Sequence, residues 1–302
     1  MQIPRRLKSI FAGLLAALCI MLCGCQNGPG KLTLYGVNTG KSDCLIFCLP
    51  KGKTLLVDTG LKDTYGQVKA TLELAHVKKI DYLVLTHGHK DHIGGLKQLA
   101  QDYAIGTLYT NAYDTATYSE KERALLAEVS ETWEQLRPAA EAEDGRGYTT
   151  ILLGNIKMDF LAPARPYTDA EDDNNNSLVL RLTHGKVVFL LMGDATSLIE
   201  EDLLSWYGFG KNGEETLSAD FLKAGHHGKA DASTQLFIDA VSPKIVYIPG
   251  NRAEDPESPA QAVLQRYSAA HADVSINEGT HLAAFWISNG DSLSQGSYLV
   301  KD

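Results

Sequence analysis

Apolar and polar residues form short runs with two different spacings along the chain. The segment 80–86 is almost entirely apolar, a pattern typical of a strand buried on both faces. Paired apolar runs predict two hairpins, with turns at Gly154-Asn155 and His184-Gly185. Strands are also predicted at 31–37, 44–48, 54–57, 221–224, 245–248, 274–276 and 283–287, and helices at 65–75, 96–102, 198–206, 234–241 and 259–269. Short strands that alternate with helices predict an α/β fold.

The longest helical pattern lies at 119–142. Its apolar residues recur every three or four positions, which predicts one helix that packs on the core; they are Leu125, Leu126, Val129, Trp133 and Leu136. His184 falls in a predicted turn, so we expect it to be exposed to solvent. Cys44 and Cys48 lie four positions apart in a predicted strand, about 13 Å. A disulfide needs Cα atoms within about 7 Å, so we interpret both as small buried residues without a bridge.

The first 25 residues have the composition of a targeting segment. Arg5, Arg6 and Lys8 precede the apolar run 10–22, which is short for a membrane span but suits a signal peptide. The sequence Leu22-Cys23-Gly24-Cys25 resembles the processing site of bacterial lipoproteins, with Cys25 as the residue that receives the lipid. An ordinary cleaved signal and an uncleaved anchor remain the alternatives.

This interpretation divides the chain into three parts. Residues 1–24 are the lipoprotein signal peptide, residues 25–30 are the lipidated cysteine with a short tether, and residues 31–302 are one folded domain. The predicted location is extracytoplasmic, with the lipid anchored in the bacterial cell membrane. Cleavage would remove the three basic residues of the leader and change the formal net charge from −9 to −12.

Composition excludes several classes of protein. With 44% hydrophobic and 22% charged residues, the 302-residue chain is globular rather than disordered. No apolar run is long enough for a protein with several membrane spans. The acidic balance makes an extended DNA-binding face improbable, since such a face needs many contacts between basic residues and phosphates.

The candidate chemistry is concentrated directly after the buried strand at 80–86. His87, His89, Asp91 and His92 fall within six residues. In an extended chain His87 and His89 point to the same side, so both can bind one metal ion. Asp91 and His92 follow where the chain turns into a helix, and there they can reach a second metal. Imidazole and carboxylate ligands suit zinc, although manganese or another divalent metal is also compatible.

Two further segments supply ligands that this cluster lacks. Asp194 follows the apolar strand at 187–192, and a carboxylate at a strand end can bridge two metals. His226 and His227 follow the predicted strand at 221–224. Together with the first cluster, these residues predict a site for two metal ions, and the sequence leaves open which of the two histidines is the ligand.

These motifs resemble those of metallo-β-lactamase-fold hydrolases. Within them, the chain is similar to the extracellular C-terminal domain of ComEC-type competence proteins and to their stand-alone relatives. The similarity runs from about residue 31 to residue 289, and its matching segments are 37–43, 55–60, 176–180, 189–194, 226–228 with Ser233, 241–244 and 277–280. The resemblance implies a four-layer αββα sandwich, with the metals at one edge of two facing mixed sheets.

The resemblance also implies roles for individual residues. His87 and His89 would bind one zinc ion. Asp91, His92 and either His226 or His227 would bind the other, with Asp194 between the two. Asp58 would orient ligands from behind. Ser233 matches the serine that follows the His-His-Gly motif, and it would support the ligands or contact the substrate.

The chain departs from the family pattern in two places near the site. Many members supply a third histidine to the first metal, but no histidine lies between His92 and His184 here. Asn176 falls in the matching region, where it could be a weak ligand or could shape the loop. Lys229 replaces a serine of the family motif, and it could pair with a substrate phosphate or lie free in solvent.

Two metals and an activated water predict hydrolysis of a phosphodiester or ester-like bond. Asp91 and Asp194 would position the nucleophile, and whichever of His226 and His227 is not a ligand could donate a proton to the leaving group. The first hypothesis is an extracytoplasmic phosphodiesterase: a nuclease, or an enzyme for a small or cell-wall phosphodiester. The alternatives are a lactonase or other ester hydrolase, and a binding lipoprotein with a vestigial metal site. The oligomeric state stays open.

Overall fold

Two β-sheets, of eight and seven strands, form the centre of the fold. The structure is a computed structural model, and it describes residues 30–113, 118–137, 149–168, 172–207 and 217–300. The strands of the first sheet are β1 (Leu32–Val37), β2 (Leu45–Cys48), β3 (Thr54–Val57), β4 (Ile80–Leu85), β5 (Ile105–Asn111), β6 (Ser130–Leu136), β14 (Ala283–Ser288) and β15 (Leu293–Gln295). They lie in the order β15-β14-β1-β2-β3-β4-β5-β6.

The second sheet carries the remaining strands. These are β7 (Thr149–Leu153), β8 (Ile156–Ala162), β9 (Val179–His184), β10 (Val187–Leu191), β11 (Phe221–Lys223), β12 (Ile245–Ile248) and β13 (Asp273–Ile276), in the order β13-β12-β11-β10-β9-β8-β7. Both sheets are mixed. The antiparallel pairs β7–β8 and β9–β10 are the two hairpins that the sequence predicts, so that prediction is confirmed.

Aromatic and aliphatic side chains fill the space between the two sheets. The ring of Phe47 in the first sheet lies 5.7 Å from that of Phe189 in the second, and Trp286 packs 4.9 Å from Phe221. Helices cover the two outer faces: α1 (Tyr65–Leu74), α3 (Leu96–Asp102) and α4 (Glu120–Glu128) on the first sheet, and α5 (Ser197–Tyr207), α6 (Gln235–Val241) and α7 (Gln261–Ala269) on the second. The short helix α2 is Lys90–Ile93. The four-layer αββα sandwich is confirmed.

The predicted helix over 119–142 is wrong in its second half. Helix α4 begins after Ser119, whose side chain accepts from the backbone of Glu122 in a capping box, and it ends at Glu128. Residues 130–136 form strand β6, which pairs in parallel with β5. Trp133 packs on the outer face of the sheet and Leu136 in the inner core, so the spacing that suggested one helical face instead places these two residues on opposite faces. The remainder, 138–142, lies outside the described residues.

His184 is buried rather than exposed in a turn. Only 2% of its surface is accessible, and its Nδ1 atom lies 2.9 Å from the hydroxyl of Ser288. The loop after β14 covers the hairpin, because the backbone N–H of Lys186 donates to the carbonyl of Gly290. Tertiary packing of this loop, which the local pattern does not encode, excludes solvent from the imidazole.

The two cysteines near the start of the domain have different states. Cys44 is free and buried, so no bridge joins it to Cys48. Cys48 is disulfide-bonded, which the expectation of two unbridged cysteines did not anticipate. Within the described residues, no helix is both long enough and apolar enough to cross a membrane.

Candidate metal centre

The predicted site residues lie where strands of both sheets end. Strands β3 and β4 run parallel in the first sheet, and β10 and β11 run parallel in the second. Side chains that follow such strands collect at the carboxyl edge of a sheet. Asp58 follows β3, the 87–92 segment follows β4, Asp194 follows β10 and His227 follows β11. The facing sheets bring these four loops together at one edge of the sandwich.

Asp91, His92, Asp194 and His227 form a compact group. One potential ligand atom from each lies within 4.8 Å of all the others. Asp194 Oδ2 is 3.1 Å from His92 Nε2 and 3.0 Å from His227 Nε2, and the latter nitrogen is 3.3 Å from Asp91 Oδ2. Two ligand atoms bound at about 2.1 Å to a tetrahedral zinc ion lie roughly 3.3–3.4 Å apart. The spacing therefore fits a metal ion held among the four side chains.

Unsatisfied polar atoms support the same conclusion. The Nε2 atoms of His87, His92 and His227 are buried and make no hydrogen bond of acceptable geometry to the described residues, and neither does Asp194 Oδ1. Buried polar atoms are almost always paired, so a cluster of unpaired ones at a single place needs an explanation. A bound metal would supply the missing partner for each nitrogen.

Charge within this group is strongly coupled. Burial alone would lower the pKa of His92, but the carboxylates of Asp194, Asp58 and Asp43 outweigh burial and raise that pKa well above its usual value. The pKa of His227 is raised well above its usual value by the same balance of burial against Asp194 and Asp43. Burial would raise the pKa of Asp194, yet His227 and His92 hold it well below its ordinary range. Protonated imidazoles therefore balance the carboxylates until a metal displaces their protons.

Asp58 lies directly behind His92. Its Oδ2 atom is 2.8 Å from His92 Nδ1, and both carboxylate oxygens also accept from Thr86, one from the backbone N–H and one from the hydroxyl. A carboxylate that accepts the Nδ1 proton leaves Nε2 free for a metal and fixes the ring orientation. Asp58 thus lies where a residue that orients His92 from behind would lie.

The turn that carries Asp194 is fixed from two sides. Gly193 adopts φ +55°, and a Cβ atom there would lie 2.8 Å from the Ser177 Cβ, so glycine is required. The backbone N–H of Asp194 donates to the hydroxyl of Ser177 at 2.9 Å. The 176–178 segment that the family resemblance matched therefore positions Asp194, which brings its carboxylate between His92 and His227.

The two adjacent histidines have different surroundings. Both adopt left-handed φ angles, 41° at His226 and 52° at His227, and as a result their rings diverge. His227 is buried and faces Asp194, and its Nδ1 atom is 3.0 Å from the Pro249 carbonyl oxygen. His226 is half-buried, and its Nδ1 atom lies 2.8 Å from Asp231 Oδ2. The geometry therefore groups His227 with the other candidate ligands and leaves His226 at the rim.

The first half-site is less complete. His87 is fully buried, and burial together with the nearby His92 lowers its pKa well below the usual value, so its Nε2 atom is free to bind a metal. The His89 ring lies 4.6 Å from that of His87. In place of a third histidine, the carboxylate of Asp173 lies 3.4 Å from His89 Nε2. This contact is the position at which the chain could supply another ligand.

Asn176 and Ser233 have structural contacts. The amide of Asn176 exchanges two hydrogen bonds with the backbone of Tyr167, at 2.9 and 2.8 Å, so it shapes the loop and is not free to bind metal. The Ser233 hydroxyl is 2.7 Å from that of Tyr267, and its backbone N–H donates to Glu200. Neither side chain contacts the ligand group among the described interactions, so the expected role for Ser233 near the site is not supported by its contacts.

Lys229 lies at the rim of the site. Its ammonium group is 3.8 Å from Asp255, and its side chain is about one-third exposed. Asp255 also lies 3.7 Å from Lys41, in the turn before β2. Both readings of Lys229 from the sequence remain compatible with this position, because a weak surface ion pair leaves the ammonium available to an anion.

Sequence reasoning missed Asp43 and Lys223 as site residues. Asp43 Oδ1 is 3.3 Å from His227 Nδ1, so this carboxylate stands behind His227 much as Asp58 stands behind His92. Lys223, with 1% of its surface exposed, pairs with Asp43 and lies 3.5 Å from Asp194 Oδ1. A lysine inside an otherwise apolar strand, directly before the Gly-His-His segment, is the signal that could have drawn attention to it.

Comparison with known proteins agrees with this architecture. Residues 37–250 match the model of the metallo-β-lactamase superfamily. The chain is 27% identical over 264 residues to the ComE operon protein 3 of Bacillus subtilis, covering 81% of this chain and 32% of that protein. It is 29% identical over 247 residues to the competence protein ComA of Neisseria gonorrhoeae, covering 80% of this chain and 30% of that one. The chain thus spans about a third of the length of these relatives.

Solved structures share the fold at low identity. The diiron β-hydroxylase CmlA from Streptomyces venezuelae has a TM-score of 0.54 at 13% identity, over 86% of this chain and 54% of that one. Zinc-bound PqqB from Methylobacterium extorquens has a TM-score of 0.51 at 12% identity, over 82% of this chain and 97% of that one. These two neighbours differ in metal, so the fold does not fix which metal is bound. The chain belongs to the metallo-β-lactamase superfamily, and it is related in sequence to the ComE operon protein 3 and to the competence protein ComA.

Proposed function

We propose that this protein is a phosphodiesterase that uses two zinc ions and works outside the cytoplasm, held at the cell membrane by a lipid on Cys25. The observation that carries the proposal is the group of Asp91, His92, Asp194 and His227, whose spacing fits a metal and whose imidazoles are oriented by carboxylates. When bound, two divalent metals would supply a water nucleophile near neutral pH and would stabilise the charge that develops on the substrate.

The residues around the metals have three kinds of role: metal binding, orientation of the ligands and contact with the substrate. His87 and His89 would hold one metal, and Asp91, His92 and His227 the other, with Asp194 shared between them. Asp58 and Asp43 hold the rings of His92 and His227 in orientation. His226 stands at the rim with Nδ1 on Asp231 and Nε2 3.5 Å from the Asn174 amide, and in its doubly protonated form Nε2 would donate to a substrate oxygen. Lys229, also at the rim, is available to pair with an anionic group of the substrate.

The substrate class follows from charge and from the relatives. One relative is named as a competence protein and another as a ComE operon protein, which favours a phosphodiester over a lactone. The net charge of −9, or −12 after the proposed processing, argues against a long DNA track, because that needs many contacts between basic residues and phosphates. A short or small phosphodiester, or a phosphodiester of the cell wall, fits this charge better.

Zinc is the metal we propose, on the basis of the ligand types. Imidazole nitrogens with a few carboxylate oxygens are typical of zinc sites, and the same donors also accept manganese or iron. Zinc-bound PqqB has the same fold, whereas CmlA carries two irons on it. Metal analysis of protein purified from cells grown with each metal would decide among them.

A substrate panel tests the activity. Protein loaded with zinc or manganese would be assayed against chromogenic phosphodiester, phosphomonoester, lactone and β-lactam substrates, with Asp194→Asn as the matched inactive control. The proposal expects the phosphodiester to be hydrolysed fastest and the variant to lose that activity. Faster lactone hydrolysis would favour the lactonase hypothesis. A stable protein without transition metal and without activity would favour a binding lipoprotein.

A further inference from the structure

Lys223 is a buried lysine inside the candidate metal centre. It ends strand β11 of the second sheet, and 1% of its surface is exposed. Its ammonium group donates to the carbonyl oxygen of Gly193 at 2.6 Å, forms an ion pair with Asp43, and lies 3.5 Å from Asp194 Oδ1. The Gly193 carbonyl and the Asp43 carboxylate are its close partners, whereas Asp194 Oδ1 is a longer charge contact without a hydrogen bond.

A cation at this position is unexpected, because two divalent metals are expected only a few ångströms away. A buried lysine near positive metals is disfavoured unless the surrounding carboxylates exceed what the metals balance. Four carboxylates surround this centre: Asp43, Asp58, Asp91 and Asp194. They balance two divalent ions, and Asp173 at the rim beside His89 adds a further negative charge.

Lys223 is the lysine that offsets this excess. Among the ion pairs of the described residues, no other lysine or arginine contacts Asp43, Asp58, Asp91, Asp194 or Asp173. With neutral imidazoles, Lys223 is therefore the one cationic side chain paired with these carboxylates among the described residues. Without it, the electrostatic potential at the centre would be more negative by one unit charge, which disfavours an anion.

We propose that Lys223 is a specificity-determining residue, whose fixed positive charge allows the metal-loaded centre to accept an anionic phosphodiester in preference to a neutral ester. This inference rests on the proposed function, and it names the charge class of substrate that the site takes. Lys223 lies behind Asp194 and does not contact the substrate, so it acts through the electrostatic potential of the centre. At the effective dielectric constant of about 20 that suits protein sites, one unit charge several ångströms away changes anion affinity on the order of tenfold.

A purely structural role is the competing explanation. Asp43 belongs to the turn between β1 and β2 of the first sheet, whereas Lys223 belongs to the second, so their ion pair also ties the two sheets together. Removing either partner would then weaken the fold without regard to the charge of the ligand. Opposite charge changes at the two positions separate the explanations, because a structural tie is lost in both cases while the potential changes in opposite directions.

The test measures equilibrium binding rather than turnover. Metal-loaded wild type, Lys223→Met, Asp43→Asn and the double variant would be titrated with dimethyl phosphate, which is an anion, and with trimethyl phosphate, which is a neutral ester of similar shape. Phosphorus NMR follows both ligands, and affinities are compared only at metal concentrations that keep every variant fully loaded, because Asp43→Asn also removes a carboxylate behind His227. We expect K223M to bind dimethyl phosphate about tenfold more weakly, D43N to bind it more tightly, and the double variant to bind it like the wild type. Trimethyl phosphate should bind all four proteins alike.

Several outcomes would overturn the inference. One is equal loss of affinity for both ligands in K223M, and another is weaker dimethyl phosphate binding in D43N. If K223M fails to fold because Asp43 is left unpaired, D43N is compared with the double variant, since these two proteins differ only in the charge at position 223. Equal affinities in that pair, or loss of metal from the double variant alone, would make Lys223 a structural residue. The test measures binding and not turnover. Its outcome can therefore be interpreted even if the substrate panel shows no phosphodiesterase activity.

Discussion

His92 Nδ1 lies 2.8 Å from Asp58 Oδ2, and this contact determines which nitrogen of the imidazole faces the metal centre. Asp58 itself is held by the backbone and hydroxyl of Thr86, so its carboxylate has little freedom to move. The same arrangement recurs more loosely at His227, where Asp43 and the Pro249 carbonyl stand behind the ring. Ligand orientation in this site therefore depends on residues that would not touch the metal.

Asp58→Asn tests this dependence. The amide keeps the shape of the side chain but replaces one accepting oxygen with a donor, so either His92 or Thr86 loses its acceptor. We expect metal affinity to fall 10–100-fold (an order-of-magnitude range for lost supporting carboxylates), as measured by competition with a chromogenic chelator. Asp239→Asn, on the exposed side of α6, is the matched control and should bind metal like the wild type. Unchanged metal affinity in D58N would show that His92 does not need this contact.

We expect Asp194→Asn to lose both bound metal and activity while it stays folded. The substitution preserves shape but removes a negative charge between the two metal positions, so metal–metal repulsion is less compensated and the weaker site should empty first. Activity on phosphodiesters should fall by at least about 100-fold, since small misplacements of reacting groups have effects of that size. Circular dichroism should show a folded protein, because the core lies in the apolar layers. If the variant keeps both metals and near-normal turnover, Asp194 is not a metal ligand.

Stability should depend on pH in opposite ways with and without metal. In the metal-free protein the pKa values of His92 and His227 are raised, so their stabilising contribution is full below the unfolded value of about 6.5 and is lost as pH rises through the raised values. Metal binding must displace those protons, so metal affinity rises with pH. We therefore expect the increase in melting temperature produced by zinc to grow from about pH 6 to about pH 8. An increase that is constant over that range would contradict the raised pKa values.

Proton release gives a second measurement of the same coupling. Titration calorimetry in buffers of different ionisation enthalpy should show that protons leave the protein when zinc binds near pH 7. The pKa of Asp194 is lowered, so its effect on stability has the opposite pH dependence. Its contribution to the free energy of unfolding is present above the ordinary aspartate pKa and is lost as pH falls through the lowered pKa. Asp194 should therefore release no proton on metal binding at neutral pH.

Asp173 is the residue that we expect to control metal occupancy of the first half-site. This carboxylate lies 3.4 Å from His89 Nε2, in the segment where the family resemblance implies a third histidine in many members. We expect the wild type to retain close to two metal ions after dialysis and Asp173→Asn to retain about one. The group around Asp194 should keep its metal in both proteins. Asp173→His should restore or raise the content. Equal metal content in wild type and D173N would place the missing ligand elsewhere.

Cys25 tests the proposed membrane anchor. A lipoprotein carries several acyl chains on one cysteine, and more than one chain is needed for stable membrane attachment. Cys25→Ser should therefore accumulate as an unprocessed precursor or be released from the membrane, as seen by fractionation and mass spectrometry. Cys44→Ser, a change at a buried free cysteine, should leave fractionation unchanged. Processing and retention of C25S like the wild type would show that Cys25 carries no lipid.

The sequence pattern was enough to predict an α/β fold and the neighbourhood of the site, and the resemblance of its motifs implied the sandwich. The run at 80–86 must be buried on both faces, and the histidines that follow it are closely spaced, so local pattern and ligand chemistry agree there. Both hairpins were predictable for the same reason, because the turn residues and alternating apolar positions are local signals. Where the local signals conflicted, as at 130–136, pairing with β5 decided in favour of a strand.

Tertiary structure decided the features that depend on contacts between distant segments. Positive φ angles at His226 and His227 turn one ring outward and the other toward Asp194, and no spacing rule separates two adjacent histidines. The positions of Asp43 and Lys223 behind the ligands arise only when the turn before β2 meets the end of β11, 180 positions along the chain. Ligand types are a property of the sequence, whereas the charge and orientation that control them arise from the packing of one sheet on the other.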